Sequence, residues 1–324
     1  MGYYFRQVVE QSHWRSHLFM AVALLVGAPF FFLGGPGYHS SRSFQATWDL
    51  GHLFYFLVFT LWAHNRWSRK GKLITPFSIF AALCILVLLL GTTVEFLQMF
   101  VDGRSPDIFD VLRNLLGCLV AFAFCIRPRL FAACWRQRVF QFGVSLLIVL
   151  AVYPLARAVY DESAARHQFP VLADFETPFE CDRWENVGQL QREQEYVRHG
   201  SWAARLQLST AMYSGVALFR FPRDWRDYRI LHFSVYNPNQ TSLQLNCRIH
   251  DTHHGEHGMD FEDRFNQAFT LASGWNDLVI SLDQVKAAPR GRTMDMEHIE
   301  GFGLFVARQP RPQVIYLDHI YLDR

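Results

Sequence analysis

The sequence predicts two folds in one chain: an α-helical transmembrane bundle of five spans, followed by an all-β jelly-roll sandwich. Five apolar stretches occur before residue 160, and a period-two alternation of apolar and polar residues dominates after residue 170. Residues 1–160 carry 14 Lys and Arg against 6 Asp and Glu, whereas the remainder carries 17 against 23. The chain has 324 residues, of which 19% are charged. This composition disfavours a disordered protein and an ordinary cytosolic enzyme.

The apolar stretches are long enough to cross a bilayer as helices. Most reach the roughly 20 residues needed to span about 30 Å of hydrocarbon. The first one runs into Pro29 without a small-residue cleavage site, so we interpret it as a retained helix and not a signal peptide. The five predicted spans are 17–35, 45–63, 74–101, 106–126 and 139–156.

Two basic loops predict the orientation. The loops 64–73 and 127–138 are rich in Lys and Arg, whereas the other connections carry a single Arg each. Because cytoplasmic loops hold the excess of Lys and Arg, the N-terminus is predicted to be cytoplasmic and the chain after Arg157 extracytoplasmic. The protein is then a multi-pass protein of the cell membrane. Nucleic acid is not an expected partner, because the basic residues lie in short clusters between apolar runs.

Polar residues inside the predicted spans are the strongest functional signal. Ionisable groups at membrane depth are costly and usually face a bundle interior or a water-filled cavity. Here they recur at spacings of three and four, which places them on shared helix faces, and the orientation places them at the outer end of the bundle. Two interpretations remain: a helix–helix polar network with interfacial caps, or an outward-facing pocket. The candidate residues are Asp49, His52, Glu95, Gln98, Arg104, Asp107, Asp110 and Asn114.

The connection between the third and fourth spans is predicted to be a tight hairpin. Asp102-Gly103 is typical of a helix end, and Ser105-Pro106 is typical of an N-cap followed by proline at the first helical position. A turn this short makes the two helices antiparallel neighbours. We therefore expect Glu95 to face Asp110.

The same residues resemble a known family. Asp49-x-x-His52 with following aromatics, then Glu95-x-x-Gln98, Arg104 and the residues to Gly117 are similar to the VanZ-like family of small multi-helix membrane proteins, over about residues 15–126. Family members usually carry a Lys after the first Asp, where this chain has Leu50. The resemblance implies a membrane-embedded envelope protein, in a family named after a member linked to teicoplanin resistance, without implying a reaction.

The second half is predicted to be an extracytoplasmic β domain at 172–324. A polar linker at 159–171 separates it from the helical domain at 1–158. Leu231, Phe233 and Val235 alternate with polar residues, and an Asn-Pro-Asn turn separates them from a second alternating strand. Further strands are predicted at 202–209, 215–221, 265–271, 277–282, 301–307 and 314–322.

Landmarks of this domain resemble the galactose-binding-like jelly rolls of carbohydrate-binding modules. They are Asp174-Phe175-Glu176, a Gly-Trp strand opening at Gly274, and an Asp-containing last strand at 315–320. The resemblance implies sugar binding and a structural Ca²⁺ between Glu176 and Asp318, for which hard oxygen ligands are suited. Ordinary strand-edge charges are the alternative. Trp202 and Tyr236 are candidates for a sugar-binding platform, or else for core positions.

A histidine-rich segment and two cysteines complete the candidates. His250 and His254, with neighbouring His and carboxylate residues, are predicted to lie in a loop. This loop contacts a ligand, holds a metal ion or is simply solvated, and the sequence contains no His-Glu-x-x-His motif. Cys181 and Cys247 are the only cysteines of the outer domain, so a disulfide between them is expected.

Two functions follow from these observations. The first is a non-catalytic envelope factor that binds cell-envelope carbohydrate and receives a lipid-linked partner. The second is a membrane enzyme acting on a lipid-linked sugar or phosphate, with His52 or Glu95 as acid or base and Arg104 holding an anion. The first is preferred because no nucleophile–base pair is visible in the sequence.

Overall fold

The computed structural model describes residues 16–37, 40–68, 75–101, 104, 106–127, 129–186 and 189–324. The chain divides into two compact units, residues 1–159 and 160–324, hereafter the helical unit and the β unit. Several residues used for the topology and hairpin predictions lie outside the described residues: Arg69, Lys70, Lys72, Asp102, Gly103 and Ser105.

The helical unit contains a helix at each of the five predicted positions. The helices are α1 (Ser16–Phe31), α2 (Arg42–Trp67), α3 (Pro76–Gln98), α4 (Ile108–Val120, extended by a π-helical turn to Cys125) and α5 (Cys134–Gln168). Among the described residues, three helices are long and apolar enough to cross a membrane: α3, α4 with its π-helical turn, and α5. Helix α1 is apolar but shorter. The structure therefore supports a helical membrane domain but does not confirm five spans.

Capping residues define where these helices begin. Ser41 and Thr75 cap α2 and α3 with side-chain hydroxyls that accept backbone N–H groups. Helix α4 begins at Ile108, and its N-cap is Asp107, whose Oδ1 accepts the Phe109 N–H at 2.9 Å. The predicted start of this helix at Ser105-Pro106 was therefore wrong by two residues, because the Asp107 carboxylate is the side chain that reaches the free N–H groups.

Small residues bring α2, α3 and α4 close together. A Cβ atom on Gly117 of α4 would lie 2.3 Å from the Leu53 carbonyl oxygen of α2. A Cβ atom on Gly91 of α3 would lie 2.7 Å from Asn114 Nδ2 of α4. Close approach at small residues is the usual way in which membrane helices pack. Here it positions the polar faces of three helices around one centre.

The predicted linker is helical. Helix α5 is continuous from Cys134 to Gln168 and includes the polar segment expected to be irregular. Near its end, Asp161 forms an ion pair with Arg183 at 2.9 Å, and both side chains are about 1% exposed. Asp161 and Arg183 both belong to the β unit, so this pair packs the end of the helix within that unit.

The β unit is a sandwich of two antiparallel sheets. Among the described residues, one sheet has the order β3-β4-β11-β6-β9, with β1 pairing on β11, and the other has the order β2-β5-β10-β7-β8. The strands are β1 (Val171–Ala173), β2 (Trp184–Asn186), β3 (Gln189–Glu193), β4 (Ala203–Leu208), β5 (Tyr213–Leu218), β6 (Ile230–Asn237), β7 (Leu243–Asp251), β8 (Phe265–Leu271), β9 (Gly274–Ser281), β10 (Ile299–Ala307) and β11 (Gln313–Asp323). The expected all-β sandwich is confirmed.

The core follows the alternation in the sequence. Inward residues of β6 and β7, such as Leu231, Phe233 and Leu245, form one buried cluster between the sheets. Their neighbours along each strand point away from the core. The outer faces therefore carry the polar and aromatic residues that can contact a ligand.

The predicted disulfide is not present. Cys181 and Cys247 are both free thiols. Cys247 lies on β7 and belongs to the buried core, while Cys181 packs against the edge of the same core. Both thiols are used as small apolar groups, which is a common role for free cysteine. Burial raises the pKa of the Cys181 thiol to about 11 and also raises the pKa of Cys247.

Candidate functional site

His52 lies at the centre of the polar residues in the helical unit. Its Nδ1 is 3.1 Å from Asn114 Oδ1, and its Nε2 is 3.3 Å from Asp110 Oδ2. His52 is 5% exposed and Asn114 is fully buried. The i, i+4 spacing of Asp110 and Asn114 on α4 places both side chains against the same imidazole.

Glu95 joins this centre from α3. Its Oε2 accepts the Asp107 backbone N–H at 2.7 Å, which satisfies one of the free donors at the start of α4. Its Oε1 is buried and has no hydrogen-bond partner among the described residues. One head-group atom from each of His52, Glu95 and Asp110 lies within 4.8 Å of the other two. The expected convergence of these three residues is present, and their chemical role stays a prediction.

Arg113 is the member of this cluster that the sequence analysis missed. Its guanidinium bonds directly to Asp110 Oδ1 and lies 3.3 Å from Asp49 Oδ2 and 3.6 Å from Asp107 Oδ2. It therefore holds three carboxylates from two helices. The signal was available, since Asp110 and Arg113 are three residues apart on the polar face of α4.

Gln98 and Arg104 have a different role from the one predicted. Gln98 Nε2 donates to the Phe31 carbonyl at 2.7 Å, and Arg104 Nη2 donates to the Gly34 carbonyl at 2.7 Å. Both side chains thus bond to carbonyl groups at or just beyond the end of α1. Anion binding by Arg104 stays a prediction.

An apolar cavity adjoins the polar cluster. Its volume is about 460 Å³, and α1 and α2 line it. His52 is one of its walls, and the others are mainly aromatic or small residues such as Phe30, Phe31, Trp48 and Tyr55. An apolar space that ends at a polar centre suits an amphipathic ligand.

A second cavity lies on the outer face of the β2-β5-β10-β7-β8 sheet. Its volume is about 530 Å³. Gly303 of β10 leaves room for one of the residues that line it, because a Cβ atom on Gly303 would lie 2.8 Å from Arg248 Nε. The Arg248 side chain of β7 can therefore cross β10 at this position. We call this cavity the sheet groove.

The sheet groove combines aromatic walls with charged groups. Tyr213 and Phe305 pack edge to face with centroids 5.8 Å apart. Arg248, Arg264, Asn246 and Glu185 also line the cavity. Burial lowers the pKa of Arg264, and the neighbouring guanidinium of Arg248 lowers it further. Two guanidinium groups against one carboxylate give this groove a positive character.

Of the four predicted ligand-binding residues of the β unit, His250 and His254 lie together, with ring centroids 5.0 Å apart, and Trp202 and Tyr236 lie elsewhere. Tyr236 stacks on Tyr196 at 4.2 Å on the outer face of the other sheet. The Arg192 guanidinium carbon lies 4.1 Å from the centroid of the Trp202 ring, and Trp202 packs against the core. His250 and His254 are both buried.

The histidine-rich segment is held together internally. Its strand portion reaches Asp251 of β7, and Arg292 bonds to both Asp251 and Asp263. His254 Nδ1 is 3.4 Å from Asp263 Oδ2. Burial lowers the pKa of His250 to about 3, so its imidazole is neutral at physiological pH. The prediction of a loop was wrong for His250 and Asp251, because the apolar alternation of β7 continues through Ile249.

Glu176 and Asp318 both bind the segment 198–202. Glu176 Oε1 accepts the Ser201 and Trp202 N–H groups, at 2.7 and 2.8 Å. Asp318 Oδ2 accepts the Arg198 and His199 N–H groups, at 2.6 and 2.9 Å. A cation would be repelled by such donors, so these oxygens do not fit a Ca²⁺ site. Asp318 Oδ1 is the exception, being buried without a hydrogen-bond partner among the described residues.

Comparisons with known proteins fit this division of the chain. Residues 4–132 match the model of the VanZ/LLP1 family, slightly beyond the range of the predicted resemblance. A search of curated protein sequences finds no match.

Similar solved structures cover the C-terminal β region. One is a family 11 carbohydrate-binding module from Clostridium thermocellum in complex with a β-1,3-1,4-mixed-linked tetrasaccharide (14% identity, 47% of this chain and 94% of that chain, TM-score 0.37). Another is a family 30 carbohydrate-binding module from the same organism (16% identity, 43% and 85% coverage, TM-score 0.33). A third is an exo-β-agarase (15% identity, 47% and 24% coverage, TM-score 0.39). Residues 4–132 are similar to the VanZ/LLP1 family, and carbohydrate-binding modules are among the solved structures similar to the C-terminal β region.

Proposed function

We propose that this protein is a multi-pass envelope factor of the cytoplasmic membrane that brings a lipid-linked partner and a polysaccharide together. In this proposal all five helices cross the membrane, the N-terminus is cytoplasmic, and the β unit is extracytoplasmic. The helical unit binds the head group of the lipid-linked partner without turnover. A reporter that is active only outside the cytoplasm tests the topology: it should be active after Arg324 and silent at Arg69, and the reverse pattern contradicts it.

The polar cluster beside the apolar cavity carries this proposal. Asp49, Asp107 and Asp110 converge on Arg113, and His52 borders both this cluster and the cavity of about 460 Å³. An isoprenoid or acyl chain fits the aromatic walls, while a phosphate or sugar head group fits the polar end. Such a ligand combines the two chemistries that this part of the helical unit offers.

The sheet groove supports the second half of the proposal. Aromatic rings with nearby guanidinium and amide groups are suited to sugar rings and their hydroxyls. The excess of positive charge favours polysaccharides that carry carboxylates or phosphates. We therefore propose an acidic glycan as the ligand of the β unit.

The experiment uses two probes and two variants of the full chain in nanodiscs. We expect Glu95→Gln to weaken binding of a polyprenyl phosphate at least about tenfold, because the Glu95 carboxylate accepts the Asp107 N–H and so positions the start of α4, which carries the Arg113 guanidinium. It should leave binding of polygalacturonate unchanged. Arg248→Ala should show the opposite pattern. Equal losses for both probes, or no binding by the unmodified chain, would contradict the proposal.

A membrane enzyme is the second candidate. The grouping of His52, Glu95 and Asp110 within 4.8 Å favours it, because these side chains can exchange protons with a bound head group. Release of phosphate or sugar from a lipid-linked substrate by the unmodified chain, lost in His52→Gln, would establish turnover. Binding without release would establish the non-catalytic function.

A further inference from the structure

The head groups of His52, Glu95 and Asp110 are each held on one side by another protein group. Asn114 Oδ1 lies against His52 Nδ1, Arg113 holds Asp110 Oδ1, and the Asp107 N–H holds Glu95 Oε2. The remaining atoms are His52 Nε2, Asp110 Oδ2 and Glu95 Oε1. Glu95 is 6% exposed, and its Oε1 has no hydrogen-bond partner among the described residues.

We propose that these three atoms bind one divalent transition-metal ion. The set of one imidazole nitrogen and two carboxylate oxygens suits Zn²⁺ or Mn²⁺. Ligand atoms placed about 2.1 Å from a tetrahedral ion lie about 3.4 Å apart. His52 Nε2 and Asp110 Oδ2 are 3.3 Å apart, which is the separation this geometry requires.

The hydrogen bonds behind the three proposed ligands are those that orient metal-binding side chains. A ligating histidine usually donates its other N–H to a carbonyl or carboxylate, and ligating carboxylates are hydrogen-bonded in turn. If His52 Nδ1–H donates to Asn114 Oδ1, the Nε2 lone pair faces Asp110. Without a proton or a cation between them, that lone pair and the Asp110 carboxylate repel each other.

The charge balance points the same way. In their ionised forms, Glu95, Asp49, Asp107 and Asp110 carry four negative charges, and Arg113 and Arg104 carry two positive charges. An uncompensated negative charge at membrane depth is costly. A divalent ion would neutralise this excess. Three protein ligands also leave one coordination position of the ion open for water or a phosphate oxygen. The inferred metal site therefore does not depend on the lipid-linked ligand proposed above, and it is compatible with that ligand.

Metal binding to the full chain in detergent tests the proposal. The probes are Zn²⁺, Mn²⁺ and Mg²⁺ salts, measured by calorimetry and by metal analysis after gel filtration. We expect about one Zn²⁺ or Mn²⁺ per chain. His52→Gln and Glu95→Gln should weaken binding at least about 100-fold, and Asn114→Ala about 10- to 100-fold. His64→Gln is the matched control, since His64 is a second buried histidine on α2 and contacts Ser68, and it should change binding less than about twofold.

Co²⁺ binding to the unmodified chain makes the result independent of how well the variants fold. We expect visible d–d bands typical of a low-coordinate nitrogen and oxygen site, and competition by Zn²⁺ should abolish them. No binding by the unmodified chain would overturn the proposal. Equal binding by the unmodified chain and His52→Gln would overturn it as well.

Discussion

The two units differ in how their buried polar groups are arranged. In the β unit, Arg183 is matched to Asp161, and Arg292 is matched to Asp251 and Asp263. In the helical unit, Glu95 and Asn114 lie around one centre, and each has a buried head-group atom without a hydrogen-bond partner. In the described part of the β unit, such atoms, for example His250 Nδ1 and Asp318 Oδ1, lie on different sheets. Complete pairing is typical of structural networks, whereas open polar atoms around one centre are typical of a site. We infer that the buried charges of the β unit stabilise its fold, and those of the helical unit carry function.

The largest expected effect tests the structural half of this comparison. Arg183→Ala leaves Asp161 buried without its partner, so we expect the free energy of unfolding of the β unit to fall by about 3–5 kcal/mol. Denaturant unfolding of the full chain in detergent measures it. Arg226→Ala is the control: its pairs with Asp224 and Glu297 are about half exposed, and we expect a loss below about 1 kcal/mol. Equal losses would remove the distinction between buried and exposed pairs.

Asp318 is one of the buried groups of the β unit that is not fully hydrogen-bonded, and pH tests its effect on stability. Burial raises its pKa to about 6, against about 3.9 in an unfolded chain. The folded state therefore holds the proton more tightly, which stabilises the fold at low pH, and this contribution is lost as pH rises from about 4 to 6.

Asp318→Asn isolates this contribution. The amide keeps an oxygen for the Arg198 and His199 N–H groups and cannot ionise. We expect the variant to gain up to about 3 kcal/mol in unfolding free energy relative to the unmodified chain between pH 4 and pH 7. A bound Ca²⁺ would lower the pKa of Asp318 and reverse the sign of this difference. A reversal that EDTA abolishes would restore the calcium site that the resemblance implied.

Arg113 sharpens the functional half of the comparison. Arg113→Gln removes the cation that holds Asp49, Asp107 and Asp110. We expect Zn²⁺ or Mn²⁺ affinity to fall about 10- to 100-fold, as for other residues that orient ligands. The amount of protein in the membrane should stay within about twofold. Parallel loss of abundance and binding would show that Arg113 only stabilises the helix bundle.

The smallest expected effect concerns the thiols. Since Cys181 and Cys247 are free, a reductant should shift the unfolding free energy by less than about 0.5 kcal/mol, whereas loss of a disulfide typically costs about 2–4 kcal/mol. Intact-mass spectrometry after thiol trapping gives an independent count. Retention of both thiols agrees with the structure, and a mass two hydrogens lighter contradicts it.

The period of the apolar residues and the spacing of the polar residues predicted most of the fold. The strands with strict alternation, such as β6 and β7, appear where expected because each has one face in the core. The polar face of α4 was predictable because Asp107, Asp110 and Asn114 recur at helical spacing. The exact start of α4 was not, because Pro106 and Asp107 both carry signals for the first turn.

Sequence spacing could not predict which residues of different helices or strands contact each other. Arg113 joins carboxylates from α2 and α4, and the sheet groove depends on Gly303 of β10 lying opposite Arg248 of β7. Such meetings depend on helix packing and strand register, which no local pattern specifies. The same limit explains the wrong disulfide prediction. It rested only on Cys181 and Cys247 being the two cysteines of the β unit, and not on where the fold places them.

The central claim is that Glu95 and Asp110 belong to one site, and a double-mutant cycle tests it most directly. Polyprenyl phosphate affinity is measured for Glu95→Gln, Asp110→Asn and the double variant, all in full-length protein with membrane abundance checked. Because residues of one site are coupled, we predict that the double variant has about the same affinity as the single variant with the lower affinity. Losses that add within about 0.5 kcal/mol would show two independent positions, and would contradict the account.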